Sequence, residues 1–197
     1  EEGAAVARSL VLQAALLHSP AELTIAGALG SATADRWGWL PWLPHSQGTH
    51  GPLNVDLVSA TPGGTTALVS AVEALVEIRA EVGEDDPLAL LPAILLVVED
   101  DCSVDRARLV ELAERGRSAA VHVLWVAPTS DRLPAACRVF LHGSGATGWK
   151  AAYADDAEVV APVVVEPIAL PDAMAAARAL APLVDAGARL DTIGDLP

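Results

Sequence analysis

The sequence predicts an α/β fold: a parallel β-sheet with helices on both faces. Three observations carry that expectation. Two strand-like segments, Ile94–Val98 and Val121–Ala127, are apolar at nearly every position, as strands buried on both faces are. Helix-like segments of ten or more residues alternate with the strand-like ones, which is the βα pattern of a parallel sheet. At 197 residues, 52% of them hydrophobic and 19% charged, the chain is long and apolar enough to bury a full core.

The elements follow in order. Ala4 to Leu17 contains neither Gly nor Pro and has apolar residues on nearly every face, so it reads as a buried helix ended by His18-Ser19-Pro20. Glu22 to Leu29 reads as a strand, and residues 30–52 as a loop rich in Gly, Pro and Trp. Thr65 or Thr66 can cap a second helix, with Leu68, Val72, Leu75 and Val82 on one stripe. Glu84-Asp85-Asp86-Pro87 is a solvated turn before a strand at 93–99. A helix from about Val104 to Arg115 comes next, with Gly116 as its stop. Strands at 121–127, 139–142 and 159–165 complete the pattern, and Pro171 opens a last helix running to about Val184.

Composition restricts the partners. The formal charge is −14, and of 12 basic residues only Lys150 is a lysine. Phosphate backbones are bound by clustered Lys and Arg, so this charge argues against direct contact with nucleic acid. Apolar runs fall short of the roughly 18–20 residues that cross a bilayer, and Glu1-Glu2-Gly3-Ala4-Ala5 lacks the basic start of a signal peptide. Membrane insertion by this segment is not expected. Cys102 and Cys137 fit a reducing compartment or burial, and the five His are dispersed without metal-ligand spacing.

In parallel sheets function gathers at the carboxyl ends of the strands. Here those ends are Gly30 onward, Glu99-Asp100-Asp101 and Pro128-Thr129-Ser130. Ile94-Leu-Leu-Val-Val-Glu99-Asp100-Asp101 has the form of a Walker B strand, whose acids organise Mg²⁺ and activate water. The same residues also suit a polar turn in which Asp101 or Ser103 caps the next helix. Asp101-Cys-Ser103-Val-Asp105 approximates the Asp-x-Ser-x-Ser run of metal-dependent adhesion sites, with Asp105 in place of the last hydroxyl. Gly143-Ser-Gly-Ala-Thr-Gly148 approaches a phosphate loop, but Trp149 holds the lysine position and no helix follows, so it reads as a hairpin-like turn. Trp37, Trp39 and Trp42 form either an interaction surface or, as the solubility cost of exposing three indoles favours, a plug at the end of the core, and His45 satisfies the same loop. A Gly-x-Ser-x-Gly nucleophile elbow is absent.

The ordered set of segments resembles the FtsK/SpoIIIE-type motor ATPases, most closely the EccC-type ATPases of type VII (ESX) secretion. Arg8-Ser-Leu-Val-Leu-Gln-Ala-Ala-Leu-Leu-His18-Ser-Pro20 is similar to the helix after that family's phosphate loop. Asp35-Arg-Trp-Gly-Trp-Leu-Pro-Trp-Leu-Pro-His45 resembles its Trp-rich segment ending in Leu-Pro-His. Ile94–Asp101 matches its Walker B strand, Gly116-Arg117 through Val121–Ala127 its Gly-Arg … Val-His strand, and Ala175–Leu183 its closing helix. The resemblance covers almost the whole chain, and it implies a RecA-like (P-loop NTPase-like) fold. The likeness is greatest to the degenerate domain that precedes the first ATPase module.

The departures agree with that placement. Glu1 and Glu2 stand at the start of the first helix, where active modules carry Gly-Lys-Ser/Thr. Glu99 stands where an aspartate binds Mg²⁺ through water, and Asp100 where the catalytic glutamate is expected. The expectation is one degenerate domain over residues 1–197, lacking a first strand and phosphate loop. It would need no cofactor and would act as a structural and coupling module on the cytoplasmic side of the cell membrane. Its partners would be neighbouring ATPase domains of the same chain and other secretion-complex subunits. The rival readings are a divergent ATPase that uses Glu99 and Asp100 with ATP and Mg²⁺, and a Mg²⁺-dependent binding module at Asp101, Ser103 and Asp105.

Overall fold

A computed structural model describes residues 1–48, 51–82, 90–153 and 159–183. The predicted turn at 84–87, His50 and Val184 lie outside the described residues, as does the side chain of Val82. The main sheet is built on β1 (Leu23–Ala28), every residue of which is buried. That burial follows from its place. It pairs in parallel with β2 (Val58–Ser59) on one side and β3 (Ala93–Glu99) on the other, and β3 pairs in parallel with β4 (Val121–Val126). The order is β2-β1-β3-β4.

Helices cover both faces, as the apolar runs require. Ile94, Leu96 and Val98 of β3 face α2 (Pro62–Val82) and α3 (Arg106–Gly116), where Leu68, Val69, Val72, Leu109 and Leu112 complete a core. The alternate residue Val97 faces a second core made by α1 (Glu2–Leu17), α4 (Leu170–Leu180), Trp37, Trp39 and Leu40. The period of two along β3 thus sorts its side chains between two layers, each fully buried aliphatic side chain contributing about 1.5–3 kcal/mol. Glu99 continues the parity of Val97 and so points into the tryptophan layer.

Several expectations change. α1 starts at Glu2 and is not buried all round: Val6, Ala7, Val11, Leu12 and Ala15 pack inward, while Leu16 and Leu17 are exposed. α2 starts at Pro62 and not at Thr65 or Thr66. Pro is tolerated at a helix start, and the Thr61 hydroxyl accepts from the Gly64 amide at 3.2 Å. The cap of α3 is neither Asp101 nor Ser103. Asp105 accepts from the amides of Ala107 (2.9 Å) and Arg108 (3.3 Å). The stop after α3 is a 3₁₀ turn at Arg117–Ala119 followed by Ala120 with φ 54°, so the left-handed residue is an alanine and not Gly116. Gly116 serves packing instead, because a Cβ there would meet Val121 Cβ at 3.0 Å.

The largest correction concerns the strands after β4. β5 (Val139–Ser144), β6 (Gly148–Tyr153) and β7 (Val159–Val163) form a separate antiparallel sheet, so the apolar runs at 139–142 and 159–165 do not join the parallel one. Gly143 (φ 144°) and Gly148 (φ 74°) bracket the tight β5–β6 turn, and at Gly143 a Cβ would lie 2.2 Å from the Gly148 carbonyl oxygen. The glycine-rich run at 143–148 is therefore a hairpin turn.

Candidate functional site

The carboxyl ends of β1, β3 and β4 meet the start of α1 around a cleft of about 690 Å³. Glu99, Asp100 and Asp101 all line it, and each is held differently.

Glu99 is 3% exposed, and Trp37 Nε1 donates to its Oε1 at 2.6 Å. Burial pushes the Glu99 carboxyl above its ordinary range; the indole bond and Arg36 pull it back, and Asp101 adds to the rise. Trp37 can reach it because the 3₁₀ turn Ala34–Trp37 folds the Trp-rich loop under the strand end. Trp37 and Trp39 are fully buried with ring centroids 6.3 Å apart. Trp42 is 45% exposed, with the Arg178 guanidinium 4.8 Å from its ring centre. Two of the three indoles are thus core and one lies at the surface. His45 is buried in the same layer, where its Nε2–H donates to the His18 carbonyl at 2.8 Å, and burial lowers its basicity.

Asp100 carries the most constrained carboxylate. Arg106 Nη1 lies 2.6 Å from its Oδ1 and Arg132 Nε lies 2.6 Å from its Oδ2. Trp125 Nε1 donates to Oδ1 at 3.4 Å. Its side chain is 4% exposed against 47% for Arg106 and 57% for Arg132. Arg106, the first residue of α3, also lies over the Trp125 ring at 5.0 Å and donates to the Arg132 carbonyl. Arg132 comes from the 3₁₀ turn Ser130–Arg132 beyond β4. The pair closes over the strand end like a bracket, with both carboxylate oxygens engaged.

Asp101 works across the sheet. Its Oδ1 accepts from Thr33 Oγ1 at 2.7 Å, and its side chain occupies the space that a Cβ on Gly30 would need, 2.0 Å from the carboxyl carbon. Gly30 is required here by close approach, and the contact ties the turn after β1 to the end of β3. Ser103 Oγ is bonded to Thr65 Oγ1 at 2.9 Å, while Asp105 caps α3. Asp101, Ser103 and Asp105 each serve a different partner. Among the described residues no group of three or more His, Cys, Asp or Glu is placed to hold a metal ion.

At the opposite wall, Glu1 accepts from the buried Arg8 at 3.0 Å, with Arg36 Nε 3.6 Å away, and Glu2 accepts from the Gly145 amide at 2.8 Å. The Arg8 bond, outweighing the cost of burial, holds the Glu1 carboxyl below its usual range. Two carboxylates at a helix start repel a phosphate that such a start otherwise attracts. The residues present fit a Mg²⁺-nucleotide poorly, since the Asp100 oxygens face guanidinium groups and a Glu99 oxygen faces an indole.

No family model matches the chain. Over 40 residues it is 48% identical to the ESX-4 secretion system protein EccC4 of Mycobacterium tuberculosis. It carries an EccC-like region. That stretch is 20% of this chain and 3% of the relative, so the match spans a small fraction of the relative's length.

Arg106, Arg132, Thr33 and Trp125 were not foreseen as site residues. Arg106 had a local signal, a base six residues beyond Asp100 at the opening of a helix. Arg132 lies two residues beyond the predicted strand end Pro128-Thr129-Ser130, but its pairing with Asp100 has no local signal, because the β3–β4 pairing brings its 3₁₀ turn there.

Proposed function

We propose that the chain is a structural and coupling module of a type VII (ESX) secretion motor ATPase, with little or no ATP hydrolysis of its own. The observation that carries the reading is the Asp100 carboxylate, closed off by Arg106 and Arg132 at the strand position where a working motor needs a free acid. Regional similarity to EccC4 and the α/β frame support the assignment to this system. By the same reading the module sits on the cytoplasmic side of the cell membrane. It transmits conformation between neighbouring ATPase domains of its own chain and other subunits of the complex. No helix among the described residues is long and apolar enough to cross a membrane, and a net charge of −14 disfavours nucleic acid as a partner.

Titration of the purified chain with Mg-ATP by calorimetry tests the proposal. The expected result is no saturable heat up to millimolar nucleotide. Micromolar binding that is lost in Asp100→Asn would establish a divergent ATPase acting through Glu99 and Asp100, as would turnover by the isolated chain or turnover of the assembled complex that Asp100→Asn abolishes.

A further inference from the structure

Residues 127–138 join β4 to β5 and are anchored at points that leave their first part loose. Ala127 and Leu133 pack against the edge of the α2–α3 core, and Pro134 is buried. Between those anchors residues 128–132 are all exposed, and they form one rim of the strand-end cleft. Short-range bonds close this stretch on itself. The Arg132 amide donates to the Thr129 carbonyl at 3.2 Å, and the Leu133 amide to the Ser130 carbonyl at 3.1 Å. Among the described residues, the hydrogen bonds and ion pairs that tie 128–132 to the rest of the fold run through Arg132.

Arg132 therefore acts as a clamp. Its Nε lies 2.6 Å from Asp100 Oδ2, and its carbonyl accepts from Arg106, which is seated over the Trp125 ring. The acid end of the clamp is nearly buried and belongs to the sheet, whereas the arginine end is more than half exposed and stands on the loose stretch. An ion pair with one end open to water is weak, because the released guanidinium regains its hydration. A lone 3₁₀ turn does not persist in water without tertiary support. Stretches with few buried contacts and exposed backbone bonds open locally while the core beneath them stays closed.

We propose that residues 128–132 are a lid over the Asp100 carboxylate, anchored at Ala127 and Leu133 and held down by Arg132. With the lid down, both carboxylate oxygens are engaged. With it up, Oδ2 is open to the cleft while Arg106 keeps Oδ1. Closure at Asp100 is then the populated state of a two-position element and not a fixed property of the core. The lid supplies the coupling module proposed above with a moving part and rests on that reading for its purpose. Its test contains no nucleotide, so a failed lid and a failed calorimetric result are told apart.

Native-state hydrogen exchange by NMR is the test. In the wild type the Leu133 amide should be protected, yet exchange faster than the Leu96 and Val98 amides of β3. Below the unfolding transition its rate should not respond to urea, as a local opening requires. Arg132→Gln, at an exposed position that keeps the fold, should raise the Leu133 rate by about tenfold or more. Asp100→Asn acts on the same amide from the sheet side and should do likewise. Arg108→Gln breaks a comparable half-exposed pair with Glu73 and should leave the Leu133 rate unchanged. A Leu133 amide with no protection in the wild type would overturn the lid, as would one that follows the β3 amides in rate and urea response. Unchanged exchange in both clamp variants, or an equal rise in Arg108→Gln, would overturn it too.

Discussion

Replacing Asp100 by alanine should destabilise the protein, and the geometry fixes the size of the effect. The mutation removes a nearly buried carboxylate whose two oxygens each lie 2.6 Å from an arginine nitrogen. Hydrogen bonds to charged groups are worth about 1.5–3 kcal/mol when both ends are shielded. Fully exposed ion pairs are worth only about 0.2–1 kcal/mol. Arg106 and Arg132 are roughly half exposed and can recover water once released, so about 1–1.5 kcal/mol per contact is appropriate. The Trp125 contact, at 3.4 Å, adds little. The loss is therefore about 2–3 kcal/mol. With a urea slope of about 2 kcal/mol/M, the unfolding midpoint should fall by about 1–1.5 M. Fluorescence of the buried Trp37 and Trp39 reports the transition. A double-mutant cycle with Arg132→Ala should return a coupling of about 1 kcal/mol. An unchanged or raised midpoint would refute the reasoning, because acids held for chemistry commonly cost stability and their removal restores it.

Two further outcomes follow from the same strand end. Glu99 has a folded-state pKa above its ordinary value, so its ionisation costs stability as pH rises from the ordinary value to the raised one. Glu99→Gln keeps the acceptor for Trp37, so its gain in unfolding free energy over the wild type, read from urea melts, should be absent near pH 4 and grow by up to about 1.4 kcal/mol per pH unit through that window. A gain that is flat with pH would count against a strained carboxylate. Gly30→Ala should cost about 1–3 kcal/mol, because the new methyl must displace the Asp101 side chain. Thermal melting should show most of that loss recovered in Gly30→Ala combined with Asp101→Ala, and failure of the second change to rescue the first would remove the steric explanation.

The parallel core was legible because its signals are local and redundant. Residues 93–99 read as a strand from hydrocarbon content alone, and Leu68, Val72 and Leu75 marked the buried side of α2 by their spacing. In the meander at 139–163 the hairpin turn at 143–148 was legible, but the separate antiparallel sheet it builds was not. Continuous apolar residues suggest burial on both faces, yet Val139 and Val159 are each 56% exposed. Which sheet they join is decided by the turn geometry at Gly143 and Gly148, which strand patterning does not encode. Much the same division holds at the site. The acids at 99–101 stand out in the chain, but what each acid does depends on residues brought from far away. Trp37 lies 62 positions from Glu99, and Thr33 lies 68 from Asp101. Without those partners a structural carboxylate and a reactive one have the same local sequence.

The two helical layers differ in how much chain must be gathered to make them. β1, β3 and β4 with α2 and α3 are consecutive along the polypeptide. The other layer joins α1 to the segment before α4, where Ile168 accepts from Arg8 across 160 residues and donates to Ala5. Closing so long a loop carries the larger entropy cost, and contacts of this separation form late. The α1–α4 layer is accordingly the one that can lift away while the consecutive half stays folded. Its amides should lose hydrogen-exchange protection first, so that the fold has one layer that yields and one that does not.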